Sequence, residues 1–221
     1  MNSKMFFGLM ILGLIFSSAQ CSTAQSTKKV KKEKMENLDL SKYETAYFAS
    51  GCFWCVEAIF ESVEGVVEVV SGYSGGTEAD ANYPAVSAGR TDHAEAVEVY
   101  YDPEVVTFET LLVVFFGSHD ASTLNRQGPD AGRQYRSAIY YKNEKEATAS
   151  KDYVRKLLDE EVFSKVTTEI VPLEAFYDAE DYHQDFEARN PNQGYVRAVS
   201  VPRLKKFQRK HPELLKKSVK H

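Results

Sequence analysis

The stretch that organises this chain is Ser50-Gly51-Cys52-Phe53-Trp54-Cys55-Val56-Glu57. A β-type run, residues 45–49, leads into it, and a helix-type run, residues 56–63, follows it. We therefore predict Cys52 at a strand-to-helix turn, where unpaired N–H groups and the helix dipole stabilise an anion. A thiol at such a turn has a lowered pKa and becomes a thiolate nucleophile near neutral pH.

Cys55 follows Cys52 by about one helical turn, on the same face of the predicted helix. Two thiols at this spacing can form and break a disulfide, so the pair predicts a redox-active nucleophile with its own resolving partner. A structural interpretation stays open, because cysteines are often inert buried side chains and the two aromatic residues between them could belong to the core. A zinc site would need a second pair of Cys or His ligands, which the sequence lacks.

The chain has 221 residues, of which 43% are hydrophobic and 27% are charged, as in ordinary soluble globular proteins. A net charge of −5 gives no argument for nucleic-acid binding. The 13 Tyr and 13 Phe predict an aromatic-rich core or pocket. Nothing in the sequence indicates a metal or an organic cofactor, and we expect a monomer.

The N-terminus has the pattern of a secretory signal, with Lys4 before an apolar run at residues 5–16. This run is shorter than a membrane-spanning helix requires. Residues 18–21, Ser-Ala-Gln-Cys, resemble a lipobox in which Cys21 would carry a lipid anchor, although Gln stands where a small residue is usual. Plain signal cleavage in the same region is the alternative. Both interpretations predict an exported protein, periplasmic or on the outer surface, and the first predicts a membrane-anchored lipoprotein.

Residues 22–37 are polar and rich in lysine, which predicts a disordered tether. Contact of these lysines with anionic lipid is a second interpretation. After Cys21 only Cys52 and Cys55 remain, so the exported domain has no disulfide scaffold. A chemical role explains the pair better than a stabilising disulfide does. We therefore predict a signal at residues 1–21, a linker at residues 22–37, a catalytic domain at residues 38–202 and a basic tail at residues 203–221.

The predicted elements begin with the order β-α-β-β-α-β. This order is typical of an α+β fold, a two-layer ferredoxin-like α/β sandwich with its helices on one face of an antiparallel sheet. A further helix, a strand and an irregular tail are expected at the C-terminus, where the basic residues would form a solvated helix or a frayed end. The predicted spans are residues 45–50, 52–63, 66–73, 93–101, 107–118, 135–141, 143–161, 166–172 and 179–188.

Two long loops, residues 77–92 and 119–134, are rich in aromatic and polar side chains, which favours a functional role. Tyr83, Asp130 and Tyr135 lie within these loops or directly after them. As single residues they carry almost no functional signal, because buried tyrosines usually only pack. The histidines have no spacing that supports a metal site.

Glu95 lies at the end of the apolar face predicted for the strand at residues 93–101, together with Val97, Val99 and Tyr101. A carboxyl group among apolar neighbours has a raised pKa, because desolvation disfavours its charged form. A neutral carboxyl near pH 7 is what a general acid requires. The alternative, which the pattern alone favours, is that Glu95 lies beyond the core and is solvated.

Over roughly residues 43–193 the chain resembles the A-type peptide methionine sulfoxide reductases. The resemblance rests on several separated motifs that occur in the family's order. These motifs are Gly51-Cys52-Phe53-Trp54, Gly72-Tyr73-Ser74-Gly75-Gly76, Asn82-Tyr83-Pro84, Gly89-Arg90-Thr91-Asp92-His93-Ala94-Glu95, His119-Asp120, Gln127-Gly128-Pro129-Asp130, Gln134-Tyr135-Arg136-Ser137 and Glu180-Asp181-Tyr182-His183-Gln184.

The resemblance implies that Cys52 is the nucleophile and that Glu95 protonates the sulfoxide oxygen. Phe53 and Trp54 would form the apolar wall that receives the substrate methyl group. The implied substrate is the S epimer of methionine sulfoxide, free or in proteins, and attack would leave a sulfenic acid on the nucleophile. The side chains implied to hold the oxygen or to support the polar side of the site are Tyr83, Tyr135 and Asp130.

The chain departs from the commonest family pattern in the position of its second thiol. Many members have Gly after Phe-Trp and a resolving Cys in the C-terminal tail, whereas this chain has Cys55 and, in the tail, Tyr195-Val196. The resemblance to a minority of the family implies that Cys55 resolves Cys52 directly. A thioredoxin-like reductant would then reduce the disulfide.

Two functions of other classes remain as alternatives. A thiol–disulfide oxidoreductase could be built on Cys-Phe-Trp-Cys, but the predicted β-α-β-β-α-β order argues against its usual fold. A surface-anchored binding lipoprotein could use the aromatic loops as its contact surface.

Overall fold

The computed structural model describes residues 39–219. The predicted signal peptide and lysine-rich linker lie outside the described residues. Eight strands are present in the part that is described: β1 Glu44–Ser50, β2 Val66–Ser74, β3 Ala94–Tyr101, β4 Arg126–Gln127, β5 Asp130–Ala131, β6 Ser137–Tyr141, β7 Glu169–Pro172 and β8 Phe176–Asp178.

Six of these strands form one mixed sheet in the order β7-β6-β1-β3-β2-β8, while β4 and β5 pair with each other. All neighbours in the large sheet are antiparallel except β6 and β7, which are parallel. The four strands of the predicted β-α-β-β-α-β unit lie together at its centre, as β6-β1-β3-β2. The α/β class is therefore confirmed, and β7 and β8 extend the sheet at both edges.

The described residues also form six α-helices. Two of the predicted helix starts are capped by side chains, because Thr107 and Asn143 accept hydrogen bonds from backbone N–H groups three residues ahead. A π-helical turn, Val196–Ser200, runs directly into the last helix. The α-helices are α1 Phe53–Glu61, α2 Tyr83–Ser87, α3 Phe108–Ser118, α4 Glu144–Asp159, α5 Phe186–Arg189 and α6 Val201–Lys210. Short 3-10 turns lie at Leu40–Lys42, Glu78–Asp80, Arg133–Tyr135, Pro212–Leu214 and Lys217–Val219.

The main core lies between the sheet and the helices on one of its faces. Phe48 of β1 stacks on Phe60 of α1 at 5.1 Å and on Phe115 of α3 at 5.2 Å between ring centroids. A smaller apolar cluster covers the opposite face and includes Tyr47 and Tyr140. The helices α1 and α3 thus pack on the same face, as a two-layer arrangement requires.

Both long loops contain more regular structure than their composition predicts. Residues 77–92 include α2, which begins at Asn82 because that side chain accepts a hydrogen bond from Ala85 N. Residues 119–134 include the β4–β5 ribbon. These elements are too short to show a hydrophobic periodicity in the sequence, and local hydrogen bonds determine where they form. The predicted helix at residues 179–188 is also wrong, since only α5, at its end, is helical.

The basic C-terminal segment is neither frayed nor wholly solvated, which corrects the prediction for residues 203–221. Phe207 of α6 is 1% exposed, and Leu215 forms an isolated bridge with Val63. A few apolar side chains on one face of α6 attach it to the domain, while Lys205, Lys206, Arg209 and Lys210 are exposed. Among the described helices, none has the length and apolar character needed to cross a membrane.

Candidate active site

The turn between β1 and α1 places Cys52 at the start of the helix, as predicted. Gly51 has φ +89°, a left-handed conformation that favours glycine, and a side chain there would collide with Gln127. Cys52 is the N-cap of α1, and its carbonyl oxygen accepts hydrogen bonds from Cys55 N at 3.1 Å and Val56 N at 3.3 Å. The local backbone therefore holds both cysteines at one end of one helix.

Both thiols are reduced and buried, with Cys52 6% and Cys55 1% exposed. Burial and the hydrogen bond between the two thiols raise the pKa of Cys52 above its usual range. The same hydrogen bond lowers the pKa of Cys55 to about 6, against the effect of burial. The predicted lowering of the Cys52 pKa is therefore wrong, because desolvation outweighs the helix N-terminus. The hydrogen bond between the two thiols therefore favours the thiolate form of Cys55 over that of Cys52.

Glu95 projects from β3 into this turn and is 1% exposed, so the solvated alternative is wrong. Its Oε2 accepts a hydrogen bond of 3.0 Å from Phe53 N, the first N–H of α1. Burial raises the pKa of Glu95 to about 8, although this hydrogen bond opposes the rise. Glu95 is therefore a neutral carboxylic acid near pH 7, in direct electrostatic contact with Cys52.

An aromatic wall stands beside the thiols. Phe53 is fully buried, and Trp54 stacks on Phe186 of α5 with ring centroids 3.7 Å apart. The indole Nε1 of Trp54 donates a hydrogen bond of 3.0 Å to Nδ1 of His183. Burial lowers the pKa of His183 to about 4, so the imidazole is neutral and accepts this bond. His183, whose role the sequence left open, thus orients the indole.

The two loop tyrosines approach the same site from α2 and from the 3-10 turn Arg133–Tyr135. Burial raises the pKa of Tyr83 to about 12, and Glu95 and Cys52 contribute to the rise because both are ionised at the high pH where Tyr83 titrates. The pKa of Tyr135 is raised for the same reasons. Both hydroxyl groups are therefore protonated near pH 7, and both lie close enough to Glu95 and Cys52 to interact with them electrostatically.

Asp130 lies near the polar side of the site, where it acts electrostatically on Glu95 and on the two loop tyrosines. Its Oδ2 accepts a hydrogen bond of 2.5 Å from the Tyr195 hydroxyl, whose oxygen also lies 3.8 Å from Cys55 Sγ. Burial raises the pKa of Asp130. Asp130 therefore acts on the second thiol through Tyr195, a residue that the sequence analysis did not assign to the site.

The sequence model of one protein family, described as peptide methionine sulfoxide reductase, matches residues 44–215. The chain belongs to this family. Its match extends beyond the segment that carries the sequence motifs and includes α6, which the structure packs into the same domain.

Relatives and solved structures agree with the membership in the peptide methionine sulfoxide reductase family. Peptide methionine sulfoxide reductase MsrA 1 of Rhodopirellula baltica is 50% identical over 80% of this chain and 92% of its own length. MsrA 2 of Synechocystis sp. is 49% identical over 78% of this chain and 82% of its own. Reduced Mxr1 from Saccharomyces cerevisiae superposes with a TM-score of 0.65 at 33% identity, covering 71% and 91% of the two chains. Methionine sulfoxide reductase A of Corynebacterium diphtheriae superposes with a TM-score of 0.62 at 38% identity, covering 69% and 77%.

One group of side chains in the described residues has atoms close enough to share a metal ion. These are the carboxylates of Glu57, Glu61 and Asp185, whose ligand atoms lie within 4.8 Å of one another. Glu57 already accepts hydrogen bonds from Ser71 Oγ at 2.8 Å and from Asp185 N at 2.7 Å. These contacts give Glu57 a structural role that joins α1 to β2 and to the segment before α5.

Proposed function

We propose that this chain reduces the S epimer of methionine sulfoxide, free or in proteins, with Cys52 as the nucleophile. One observation carries the proposal: a buried thiol, a neutral carboxyl group and an apolar aromatic wall meet at the start of α1. Sulfoxide sulfur becomes electrophilic when its oxygen is protonated or strongly hydrogen-bonded. The substrate methyl group would lie against Phe53 and Trp54, with the oxygen toward Glu95 and the two tyrosines.

In the first step the thiol of Cys52 is oxidised and the sulfoxide is reduced. As the Cys52 sulfur attacks, its proton passes to the thiolate of Cys55, and Glu95 gives a proton to the sulfoxide oxygen. The Cys52 sulfur first bonds to the substrate sulfur; the protonated oxygen then forms a bond to the Cys52 sulfur as the S–S bond and the substrate S–O bond break, and methionine leaves with the remaining electron pair. The oxygen remains on Cys52 as a sulfenic acid. Hydrogen bonds from Tyr83 and Tyr135 would stabilise charge on the oxygen during the transfer.

In the second step Cys55 resolves the sulfenic acid of Cys52. An electron pair of the Cys55 sulfur forms the disulfide, the S–O bond of the sulfenic acid breaks, and the hydroxyl leaves as water with the proton of Cys55. The hydrogen bond between the thiols supports this direct route. The C-terminal tail supports it too, since it has Tyr195-Val196 and no Cys, whereas many members of the family carry a resolving thiol in the tail.

A thioredoxin-like dithiol is proposed to reduce the Cys52–Cys55 disulfide. Exchange requires an outside thiolate to reach one of the two sulfur atoms. Cys52 is the more exposed of the pair, so we propose it as the sulfur that the reductant attacks. No metal or organic cofactor takes part in these steps.

We further propose export of the chain with a lipid on Cys21, residues 22–37 serving as the tether of a monomeric domain. The signal-like pattern and the Ser-Ala-Gln-Cys sequence support this proposal. Detergent phase partitioning of the expressed chain tests it, with Cys21→Ser as the comparison. Partitioning of the parent but not the variant into the detergent phase is expected, and equal partitioning into water would contradict lipidation. Light scattering of the soluble domain form would test the monomer.

Steady-state assays with the separate epimers test the proposed activity. The S epimer should be reduced with a dithiol donor, the R epimer should not, and Cys52→Ser should abolish the reaction. Reduction of insulin disulfides without any sulfoxide turnover would instead favour the thiol–disulfide oxidoreductase. A Cys52→Ser chain that keeps both its activity and partner binding would favour the binding lipoprotein.

A further inference from the structure

The segment at residues 179–184 follows β8 and is fastened to β2 just beyond the point where the pairing of these strands ends. The side-chain amide of Gln184 accepts a hydrogen bond of 2.9 Å from Ser71 N and donates one of 2.9 Å to the Ser71 carbonyl oxygen. Ala179 N donates a further hydrogen bond of 2.9 Å to the same oxygen. Because Ser71 is fully buried, these bonds hold the segment firmly on the sheet.

The carboxylate of Glu180 joins this segment to α2 and to the core. Its Oε1 accepts a hydrogen bond of 2.9 Å from Tyr83 N, the first N–H of α2. Its Oε2 accepts a hydrogen bond of 2.8 Å from the hydroxyl of Tyr73, a fully buried residue of β2. Burial acts to raise the pKa of Glu180, but the hydrogen bonds outweigh it and the pKa is lowered. Near pH 7 an ionised carboxylate therefore gives one oxygen to each donor.

The ring of Tyr83 packs against the aromatic wall of the site. It stacks on Phe53 with ring centroids 6.4 Å apart and an interplanar angle of 17°. It also lies 4.3 Å from the imidazole of His183, centroid to centroid. His183 belongs to the segment at residues 179–184 and accepts the indole N–H of Trp54. One segment therefore holds both Tyr83, through its backbone, and Trp54, through its indole.

The helix α2 needs an outside anchor because it has only five residues, too few for a helix that is stable by itself. The first N–H groups of any helix also lack partners within it. Asn82 accepts one of these groups in α2, and Glu180 accepts that of Tyr83. At the other end, Gln134 Nε2 donates a hydrogen bond of 3.0 Å to the Ser87 carbonyl oxygen. Glu180 thus fixes the end of α2 that carries the tyrosine.

We infer that Glu180 is a positioning residue for sulfoxide reduction, holding the backbone of Tyr83 so that the tyrosine hydroxyl meets the substrate oxygen. The inference rests on the proposed function, because the hydroxyl acts in the first step of that reaction. Glu180 itself touches no reacting atom, and the covalent steps are unchanged. A purely structural role would lower stability when the carboxylate is lost, but the folded chain would react at the parent rate. The two roles therefore differ in the rate of the folded protein and in its dependence on the Tyr83 hydroxyl.

The first test is a double-mutant cycle on methionine formation in a single turnover, with the S epimer at saturation and the full Cys21→Ser chain as parent. Glu180→Ala should slow this step about tenfold, the value of one hydrogen bond lost from the transition state. On a Tyr83→Phe background the same substitution should have less than about a twofold effect, because the hydroxyl that Glu180 positions is absent. Equal slowing in both backgrounds, or a folded Glu180→Ala chain with the parent rate, would overturn the inference.

Two variants at the same position and one control sharpen the cycle. Glu180→Gln keeps an acceptor for Tyr83 N and should recover most of the rate, whereas a Gln variant as slow as the Ala variant would overturn the inference. Glu180→Asp, which draws the carboxylate back by one methylene, replaces Glu180→Ala in the cycle if that chain does not fold. Glu174→Ala, at an exposed position between β7 and β8, is the matched control and should retain the parent rate.

Hydrogen exchange of the Tyr83 amide tests the anchor without substrate. In the full Cys21→Ser chain this amide should exchange about tenfold faster after Glu180→Ala, with the amides of β1 as the reference for global unfolding. If the parent forms no methionine from the S epimer, the proposed function fails, while faster exchange confined to α2 still establishes the anchor. If the parent turns over but the Tyr83 amide exchanges equally in both chains, the inference fails and the proposed function stands.

Discussion

The carboxyl group of Glu95 on β3 accepts the first backbone N–H of α1, that of Phe53, at 3.0 Å. This bond joins the acid to the residue directly after the nucleophile, so the positions of Glu95 and Cys52 are set by one contact. Burial overcomes the bond and keeps Glu95 protonated near neutral pH, with a pKa of about 8. Glu95 is therefore brought to the nucleophile in the neutral form that a general acid requires.

Glu95→Gln should slow methionine formation by roughly a hundredfold, because the amide accepts the same backbone bond but has no proton to give. Rapid-quench measurement of the first turnover checks this. Glu98→Gln, on the same strand but bonded to Tyr47 and Tyr100 at the sheet surface, is the matched control and should retain the parent rate. Parent-like rates for Glu95→Gln would move the acid role to another residue.

The pH dependence of kcat/KM should be bell-shaped. Activity needs the thiolate of the cysteine pair, which is lost as the pH falls through about 6, and the neutral acid of Glu95, which is lost as the pH rises through about 8. The apparent pKa of the low-pH limb belongs to the cysteine pair and not to either thiol alone, because Cys52 and Cys55 share one proton. In Glu95→Gln the fall at high pH should disappear. A fall that persists unchanged would assign that limb to another group.

Substitution of each cysteine in turn should separate methionine formation from the recycling of the enzyme by its reductant. Cys52→Ser should form no methionine. Cys55→Ser should form one equivalent per chain, at a lower rate because Cys52 has lost its proton acceptor, and then stop with thioredoxin as the reductant. Methionine yield per chain, with and without thioredoxin, distinguishes these outcomes. Multiple turnovers of Cys55→Ser at the parent rate would remove Cys55 from the resolving role.

Gly51 should tolerate no side chain. In Gly51→Ala the backbone stays at φ +89° and the new methyl group comes within 2.6 Å of Gln127 Cβ, so strain and overpacking together should cost roughly 3 kcal/mol of unfolding free energy. Gly128→Ala is the matched control, because φ is +57° there but nothing lies within 4 Å of the added methyl group. Its cost should be only about 1 kcal/mol. Urea unfolding of both variants measures the difference, and equal costs would contradict the close approach of Gln127.

The central strands and the position of Cys52 were predictable from sequence, because their signals are local. Alternation in β3 separates the residues of the two sheet faces, and Thr107 caps α3 as its pattern predicts. The burial of Glu95 was not predictable in this way. It lies at the end of its strand, and segments far away in sequence, among them the start of α1, enclose it.

The electrostatics of the thiol pair were likewise beyond a sequence argument. The helix N-terminus predicts a lowered Cys52 pKa, but the proton position depends on burial and on the hydrogen bond to Cys55. The contact of Tyr195 with Cys55 and the packing of α6 were hidden because the C-terminal segment looks like a charged tail. A weak signal was present, since Leu204 and Phe207 recur at helical spacing and indicate a packed face.

The most direct test of the account is one turnover of the pre-reduced Cys21→Ser chain with each methionine sulfoxide epimer, followed by a count of remaining thiols. The account predicts one methionine per chain from the S epimer, none from the R epimer, and loss of both thiols as the Cys52–Cys55 disulfide forms. Methionine with the loss of a single thiol would contradict direct resolution by Cys55. No methionine from either epimer, with both thiols intact, would contradict the proposed reaction itself.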